Sequence, residues 1–151
     1  MGDMDYQLYD TFPEDLKDEW NDLLVRSVTD TPFLRYEYLN AWWQTRGGGE
    51  WMDARLCLAV ARKDGRLFGV APLFFTPDYQ GVPCLMLVGS IEVSDYLDVL
   101  AEPDDLQTFL NELMPFLAGA GFPKWKRLEW FNLQQTSPTL VALELAARPH
   151  G

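Results

Sequence analysis

Residues 55–75 read RLCLAVARKDGRLFGVAPLFF, and this stretch decides the fold. Its first half alternates as a β-strand does, because every second side chain of a strand points to the same face. Asp64-Gly65 then suits the positive φ angles of a type I′ turn. The stretch therefore predicts a hairpin that pairs residues 56–62 with residues 67–75. Because the return strand is apolar on both faces, we expect it to be central in a sheet.

Outward from this hairpin, the chain reads as an alternation of strands and helices in the order β-α-α-β-β-β-β-α-β-α. We expect residues 1–151 to form one α/β (α+β) domain with a mixed central sheet and helices on both faces. The other strands are predicted at residues 6–9, 84–88, 96–101 and 126–133. Further expectations are a Thr11–Glu14 capping box, a flexible loop at residues 47–49, a helix start at Ser137-Pro138, and a last helix that carries Leu140, Leu143 and Ala147. A helix from about Pro103 to Leu117 is predicted to bury Leu106, Phe109, Leu110 and Leu113, and Pro115 should kink or shorten it.

The composition is that of an acidic globular protein. The chain has 151 residues, nearly half of them apolar, and a formal charge of −11. This charge disfavours binding to nucleic acid or to an anionic membrane through general electrostatics. No apolar run approaches the roughly 20 residues of a membrane-spanning helix, and the acidic N-terminus lacks the pattern of a signal peptide. We therefore expect a cytoplasmic protein that does not insert into membranes.

The two cysteines, Cys57 and Cys84, each lie within a predicted strand. We expect two buried thiols in a reducing compartment, and a disulfide only if the two strands are neighbours. The only histidine, His150, is next to the C-terminus. A Ser–His or Cys–His nucleophile pair therefore has no base, and no His/Cys cluster has the spacing of a metal site.

The junction between the predicted strand at 96–101 and the next helix reads Glu102-Pro103-Asp104-Asp105. Many α/β enzymes bind a phosphate or pyrophosphate at such a junction, through free backbone N–H groups and the positive end of the helix. This junction has no glycine, a proline that lacks an N–H donor, and three carboxylates that would repel a phosphate. The sequence therefore has the layout of a cofactor-binding domain without the chemistry of one.

The polar candidates for substrate contact are Asp95 and Asp98, with Glu129 as a possible base. On a strand, Tyr96 and Asp98 share a face and Asp95 takes the opposite one. Carboxylates that bracket an apolar strand are costly to bury unpaired, so they suit a cleft that holds a substrate amine or hydroxyl. The alternative is that Asp95 caps a turn, that Asp98 pairs with an arginine, and that Glu129 faces solvent.

Three aromatic residues of the second helix, Tyr38, Trp42 and Trp43, offer rings on which a sugar could stack. Their helical spacing is equally that of a core-facing stripe, and this second interpretation is the more common one for such a pattern. Trp42, Trp43 and Tyr96 are thus the candidate substrate-binding residues. The sequence shows no cofactor-binding or metal-binding residues.

Four sequence blocks, in order along the chain, resemble the N-terminal half of CelD/BcsL-type acetyltransferases. These proteins have the GNAT fold, are linked to cellulose biosynthesis, and are related to the FemAB peptidyltransferases. The blocks are Thr31-Pro32-Phe33-Leu34-Arg35-Tyr36-Glu37-Tyr38-Leu39 with Ala41-Trp42-Trp43, then Arg62-Lys63-Asp64-Gly65-Arg66-Leu67-Phe68-Gly69-Val70-Ala71-Pro72-Leu73, then Val88-Gly89-Ser90 with Ser94-Asp95-Tyr96-Leu97-Asp98, and Ser137-Pro138-Thr139-Leu140.

The resemblance implies a first half of a protein with two GNAT-like halves, in which acetyl-CoA belongs to a second half missing here. This chain would then shape the acceptor side of the cleft for transfer to an amine or hydroxyl, and would be inactive alone. The alternative is a non-catalytic docking module on a degenerate GNAT scaffold. We expect the strand at 126–133 to keep an open edge, which the missing half or a second copy would cover.

Overall fold

The computed structural model describes residues 4–49, 51–89, 96–119, 121–130 and 133–148. Its elements follow one another in the order predicted from the sequence, which makes the protein a mixed α+β fold. The helices are α1 (Lys17–Val25), α2 (Tyr36–Gly49), α3 (Leu106–Leu117) and α4 (Thr139–Ala147). The strands are β1 (Met4–Tyr9), β2 (Arg55–Lys63), β3 (Arg66–Tyr79), β4 (Val82–Leu87), β5 (Leu100–Ala101) and β6 (Arg127–Glu129). Two 3₁₀ turns cover Glu14–Leu16 and Pro32–Leu34.

The predicted hairpin is confirmed. Asp64 and Gly65 have φ angles of 53° and 81°, as the type I′ turn requires. The pairing of β2 with β3 runs from Lys63 opposite Arg66 to Arg55 opposite Phe75. The middle of both strands is buried on both faces, and β3 is paired on both sides, so its central position is confirmed as well.

The sheet is antiparallel from β1 to β4 and ends in a parallel strand. Its order is β1-β2-β3-β4-β6, and α3 carries the chain across to β6, which runs parallel to β4. β5 pairs with β3 in line with β4, because Leu73 of β3 faces Leu87 whereas Val70 faces Leu100. β4 and β5 are therefore two pieces of one strand, interrupted by residues 88–99.

Helices cover both faces of the sheet, as expected. On β3, a Cβ atom at Gly69 would point at Phe109 of α3, whereas Phe74 contacts the rings of Trp42, Trp43 and Trp51. Residues 69 and 74 lie on opposite faces of the strand because their separation is odd. The core is thus built from α3 on one side and from α2 with its following turn on the other.

Several predicted elements are wrong in extent. Strand structure at 96–101 is limited to β5, and at 126–133 to β6, with residues 131 and 132 outside the described part. The Thr11–Glu14 capping box does not form, because a 3₁₀ turn comes first and α1 begins only at Lys17. Residues 47–49 complete α2 instead of forming a loop. By contrast, α3 ends at Leu117 as predicted, and Pro115 lies inside it without shortening it.

The helix α4 packs against α3 through small side chains. α4 buries Thr139, Ala142 and Ala146, while Leu140 is 42% exposed. Gln107 of α3 donates a hydrogen bond to the carbonyl of Ala142, at 3.0 Å. Small side chains let the two helix backbones come close, so they line the contact in place of the leucines.

The cysteines are both buried and both free. β3 separates the strand of Cys57 from that of Cys84, so they are not on neighbouring strands. Burial raises the pKa of the Cys57 thiol to about 11 and also raises the pKa of Cys84. Both thiols therefore stay protonated near neutral pH, as inert core residues do.

Candidate functional site

The interruption of the β4–β5 strand marks the candidate site. Val88 keeps the strand's last contact, because its amide donates to the carbonyl of Pro72 at 2.8 Å. Among the described residues that follow, pairing with β3 resumes only at Leu100. We call residues 88–99 the excursion; residues 90–95, including Asp95, lie outside the described part. The excursion begins at the carboxyl end of β4, which is parallel to β6. The carboxyl ends of parallel strands are where α/β sheets bind ligands.

A buried carboxylate fixes the C-terminal end of the excursion. Asp98 is completely buried. Its Oδ2 accepts hydrogen bonds from Thr29 Oγ1 at 2.7 Å and Ser137 Oγ at 2.6 Å. Its Oδ1 accepts from Thr139 Oγ1 at 2.6 Å and from the amide of Val99 at 2.8 Å. Four donors fill the four lone-pair positions of an ionised carboxylate.

We call Thr29, Asp98, Ser137 and Thr139 the Asp98 cluster. Thr29 follows α1, and Ser137 and Thr139 open α4, so one carboxylate joins three distant segments of the chain. Ser137 Oγ also accepts the amide of Thr139 at 3.2 Å, which caps the start of α4. A negative charge beside a helix N-terminus is favoured by the helix dipole. The predicted helix start at Ser137-Pro138 is thus confirmed to within one residue.

Asp98 is not placed as its sequence pattern predicts. It lies on an irregular segment before β5, and its side-chain partners are hydroxyl groups, so pairing with an arginine is wrong. A buried carboxylate requires partners to repay its lost hydration, and these hydroxyls supply them. Asp98 holds the backbone of the excursion and has no open face toward solvent.

Tyr96, two residues before Asp98, is the exposed side chain of the described excursion. Its φ angle is 58°, and its side chain is 52% exposed. The carbonyl of Tyr96 accepts a hydrogen bond from Thr31 Oγ1 at 3.3 Å. A bulky residue at positive φ is uncommon because the conformation costs about 1–2 kcal/mol. Backbone strain of this kind concentrates at functional sites.

The other candidates from the sequence have contacts of their own. Trp42 and Trp43 are each 6% exposed and pack on Phe74, so their rings belong to the core. Tyr38 packs edge-on against Phe33, with ring centroids 5.3 Å apart. Glu129 lies on β6, half-buried, and pairs with Arg127 at 3.1 Å.

The junction before α3 is occupied by contacts within the chain. Arg26 pairs with Glu102 at 3.4 Å. The amide of Asp105 donates to the carbonyl of Glu102 at 3.0 Å, and the amide of Phe109 donates to Asp105. These amides are therefore committed internally. The three carboxylates at residues 102, 104 and 105 give the start of α3 a negative charge.

The hydroxyl partners of Asp98 are the residues that sequence reasoning missed. The Ser137-Pro138 helix start signals a capping role for Ser137 but not a carboxylate partner. Nothing in the sequence connects Thr29 with a residue some seventy positions later.

Comparison with known proteins adds no identification, because no family model and no curated protein matches the chain. Within the described ranges, no cluster of His, Cys, Asp or Glu is arranged to hold a metal ion. Across those same ranges, no helix has the length and apolarity needed to traverse a bilayer.

Proposed function

We propose that this chain is a GNAT-like half of a CelD/BcsL-type acyltransferase, one that does not bind CoA and supplies the acceptor side of the cleft. The observation that carries the proposal is the excursion. It interrupts the strand that precedes α3 and presents an exposed, strained Tyr96 over the buried anchor of Asp98. The acceptor is an amine or hydroxyl group, and a polysaccharide fits the resemblance of the sequence blocks.

The charge before α3 supports the absence of CoA from this half. A pyrophosphate needs free amides or cations at the helix start. Here the amide of Asp105 is already bonded and Arg26 is paired with Glu102. A CoA pyrophosphate at this junction would meet the carboxylates of Glu102 and Asp105, which oppose its binding even though Lys63 and Arg66 line the same pocket.

Tyr96 supports the acceptor role. An exposed tyrosine offers an apolar ring face and a hydroxyl, a combination that suits a sugar. Thr31 bonds to the carbonyl of Tyr96, and the buried hydroxyls hold Asp98 two residues later, so the ring is presented on a fixed support. Such rigid support reduces the entropy that binding must overcome. Asp98 acts here as a positioning residue and does not touch the acceptor.

An NMR titration tests this proposal. We expect glucosamine and cellobiose, which carry amine and hydroxyl groups, to shift the amides of Thr31, Tyr96 and Leu97, and acetyl-CoA to shift none. Tyr96→Gly should abolish the sugar response yet leave stability equal or about 1 kcal/mol higher, because glycine accepts a positive φ without strain. Met52→Ala, which removes another exposed apolar side chain, is the matched control.

Two results would contradict the proposal. One is a micromolar affinity for acetyl-CoA measured by calorimetry. The other is a sugar response that is unchanged by Tyr96→Gly.

The edge of β6 favours a second candidate function, a docking module. Within the described residues β6 pairs only with β4, so its outer edge is open, as predicted for the strand at 126–133. An open edge is a template for a further strand. In an antiparallel pairing of two copies centred on Leu128, Arg127 of one copy would face Glu129 of the other. The charges on the β6 edge of one copy are therefore complementary to those on the same edge of the other copy.

Sedimentation equilibrium tests the docking function. We expect concentration-dependent dimers that Arg127→Glu weakens about tenfold, since it sets two like-charge pairs opposite each other across the twofold axis. The double variant Arg127→Glu, Glu129→Arg should restore the dimer. A monomer at high concentration, or identical association of all three proteins, would exclude self-pairing at this edge.

A further inference from the structure

An apolar groove lies at the end of the sheet where β4 and β6 begin. It has a volume of about 760 Å³ and is formed between the end of α3 and the segment leading into β6. This volume is within the range of about 300–1,000 Å³ that small-molecule sites occupy. Tyr96 and the excursion follow the opposite, carboxyl end of β4, so the groove is distinct from the acceptor site proposed above.

Hydrogen bonds and ring contacts hold the walls of the groove in place. Trp125 Nε1 donates to the carbonyl of Leu117 at 2.9 Å, which ties the loop to the end of α3. Phe122 packs edge-on against Phe116, with ring centroids 5.2 Å apart. The amide of Phe122 also donates to the carbonyl of Gly119 at 3.2 Å. These contacts fix the shape of the groove, and a fixed shape lowers the cost of binding a ligand.

The rim of the groove is positive in a strongly negative protein. Lys124 and Lys126 are both exposed at the rim, and neither forms an ion pair with any described residue. The chain has 23 acidic and only 12 basic residues, yet none of the described residues that line this groove is acidic. Two other pockets of the described structure have mixed charge: Glu102 and Asp105 line one together with Lys63 and Arg66, and Glu14 and Glu37 line the other together with Lys17.

We propose that this groove binds an alkyl carboxylate, that is, an unbranched hydrocarbon chain with one anionic end. The chain would lie on Met114, Leu117 and Phe122, and the carboxylate would contact Lys124 and Lys126. Apolar burial supplies the affinity, because each methylene removed from water adds to it several-fold. The lysine pair supplies the orientation and the preference for an anion. An apolar floor with a cationic rim matches this ligand class and disfavours a cationic one.

Dodecanoate below its micelle concentration is the probe for a titration followed by amide NMR and by calorimetry. We expect saturable one-to-one binding, with shifts confined to residues 114–119 and 121–126. Hexanoate, with the same head and half the chain, should bind at least tenfold more weakly. Dodecyltrimethylammonium, with the same tail and the opposite charge, should also bind at least tenfold more weakly.

Variants separate the groove from general hydrophobic or ionic binding. Lys124→Glu with Lys126→Glu should weaken dodecanoate binding about tenfold, because each exposed charge contact contributes a factor of a few. The matched control is Lys63→Glu with Arg66→Glu, the same charge change at the β2–β3 turn, and it should change the affinity less than twofold. Ala118→Phe, an exposed position that lines the groove, should block the tail even if the charge reversal disturbs folding.

Three results would overturn the proposal. They are equal affinity for the anionic and cationic amphiphiles, equal weakening by the two charge-reversal pairs, and shifts centred on the exposed leucines of α4. The acceptor proposal can fail while dodecanoate still binds, because its readout is the sugar response at Tyr96. Failure of dodecanoate binding leaves that response intact.

Discussion

Replacing Asp98 by alanine is expected to destabilise the protein by about 4 kcal/mol. The substitution leaves three buried hydroxyls and the Val99 amide without their acceptor. A hydrogen bond to a charged group contributes about 1.5–3 kcal/mol to stability. The losses do not add fully, because the hydroxyls can turn toward neighbouring carbonyls. Urea denaturation monitored by tryptophan fluorescence measures the change.

Two further variants sharpen the Asp98 result. Asp98→Asn keeps the shape and one acceptor oxygen, so we expect it to cost about 2 kcal/mol. Asp104→Ala removes an exposed carboxylate nearby in sequence and should cost less than about 0.5 kcal/mol. If Asp98→Ala costs no more than Asp104→Ala, the cluster does not hold the excursion, and Tyr96 loses its fixed support.

The part of the fold built from local signals could be predicted. The 55–75 hairpin needed only alternation and an Asp-Gly turn, both of which lie within a few residues of one another. The buried face of α3 was predicted for the same reason, because Leu106, Phe109, Leu110 and Leu113 recur at helical spacing and are all buried. The order of elements followed from these signals.

The excursion could not be predicted, because tertiary contacts decide it. Residues 96–101 alternate as a strand would, and this local pattern favours strand pairing. Asp98 overrides it, since a buried carboxylate must lie where hydroxyls from two distant segments reach it. Only the last two residues of the predicted strand pair with β3.

The buried face of α4 could not be predicted from the sequence, for a different reason. Leu140, Val141, Leu143 and Leu145 surround the helix, so no single apolar stripe indicates the buried face. The contact with α3 instead selects the small residues Ala142 and Ala146. The core position of Trp42 and Trp43 agrees with the commoner interpretation of their helical spacing.

Replacing Gly69 by alanine is expected to cost about 3 kcal/mol, although it adds only one methyl group. A Cβ atom at this position would lie 2.5–2.8 Å from three ring carbons of Phe109. That ring cannot easily withdraw, because it stacks on Tyr6, whose hydroxyl donates to the Phe109 carbonyl at 2.8 Å. Overpacking of a rigid core costs about 1–3 kcal/mol and exceeds the gain of replacing a strand glycine.

A double-mutant cycle isolates this clash by urea denaturation. In a Phe109→Leu background the smaller side chain leaves room, so Gly69→Ala should cost less than about 1 kcal/mol, an interaction of about 2 kcal/mol. Gly121→Ala is the matched control, because its Cβ would meet only Leu8 Cδ2 at 3.7 Å, an ordinary contact. It should change stability by less than about 0.5 kcal/mol. Equal costs of Gly69→Ala in both backgrounds would mean that α3 does not press on β3 at Gly69 and packs only loosely against this face of the sheet.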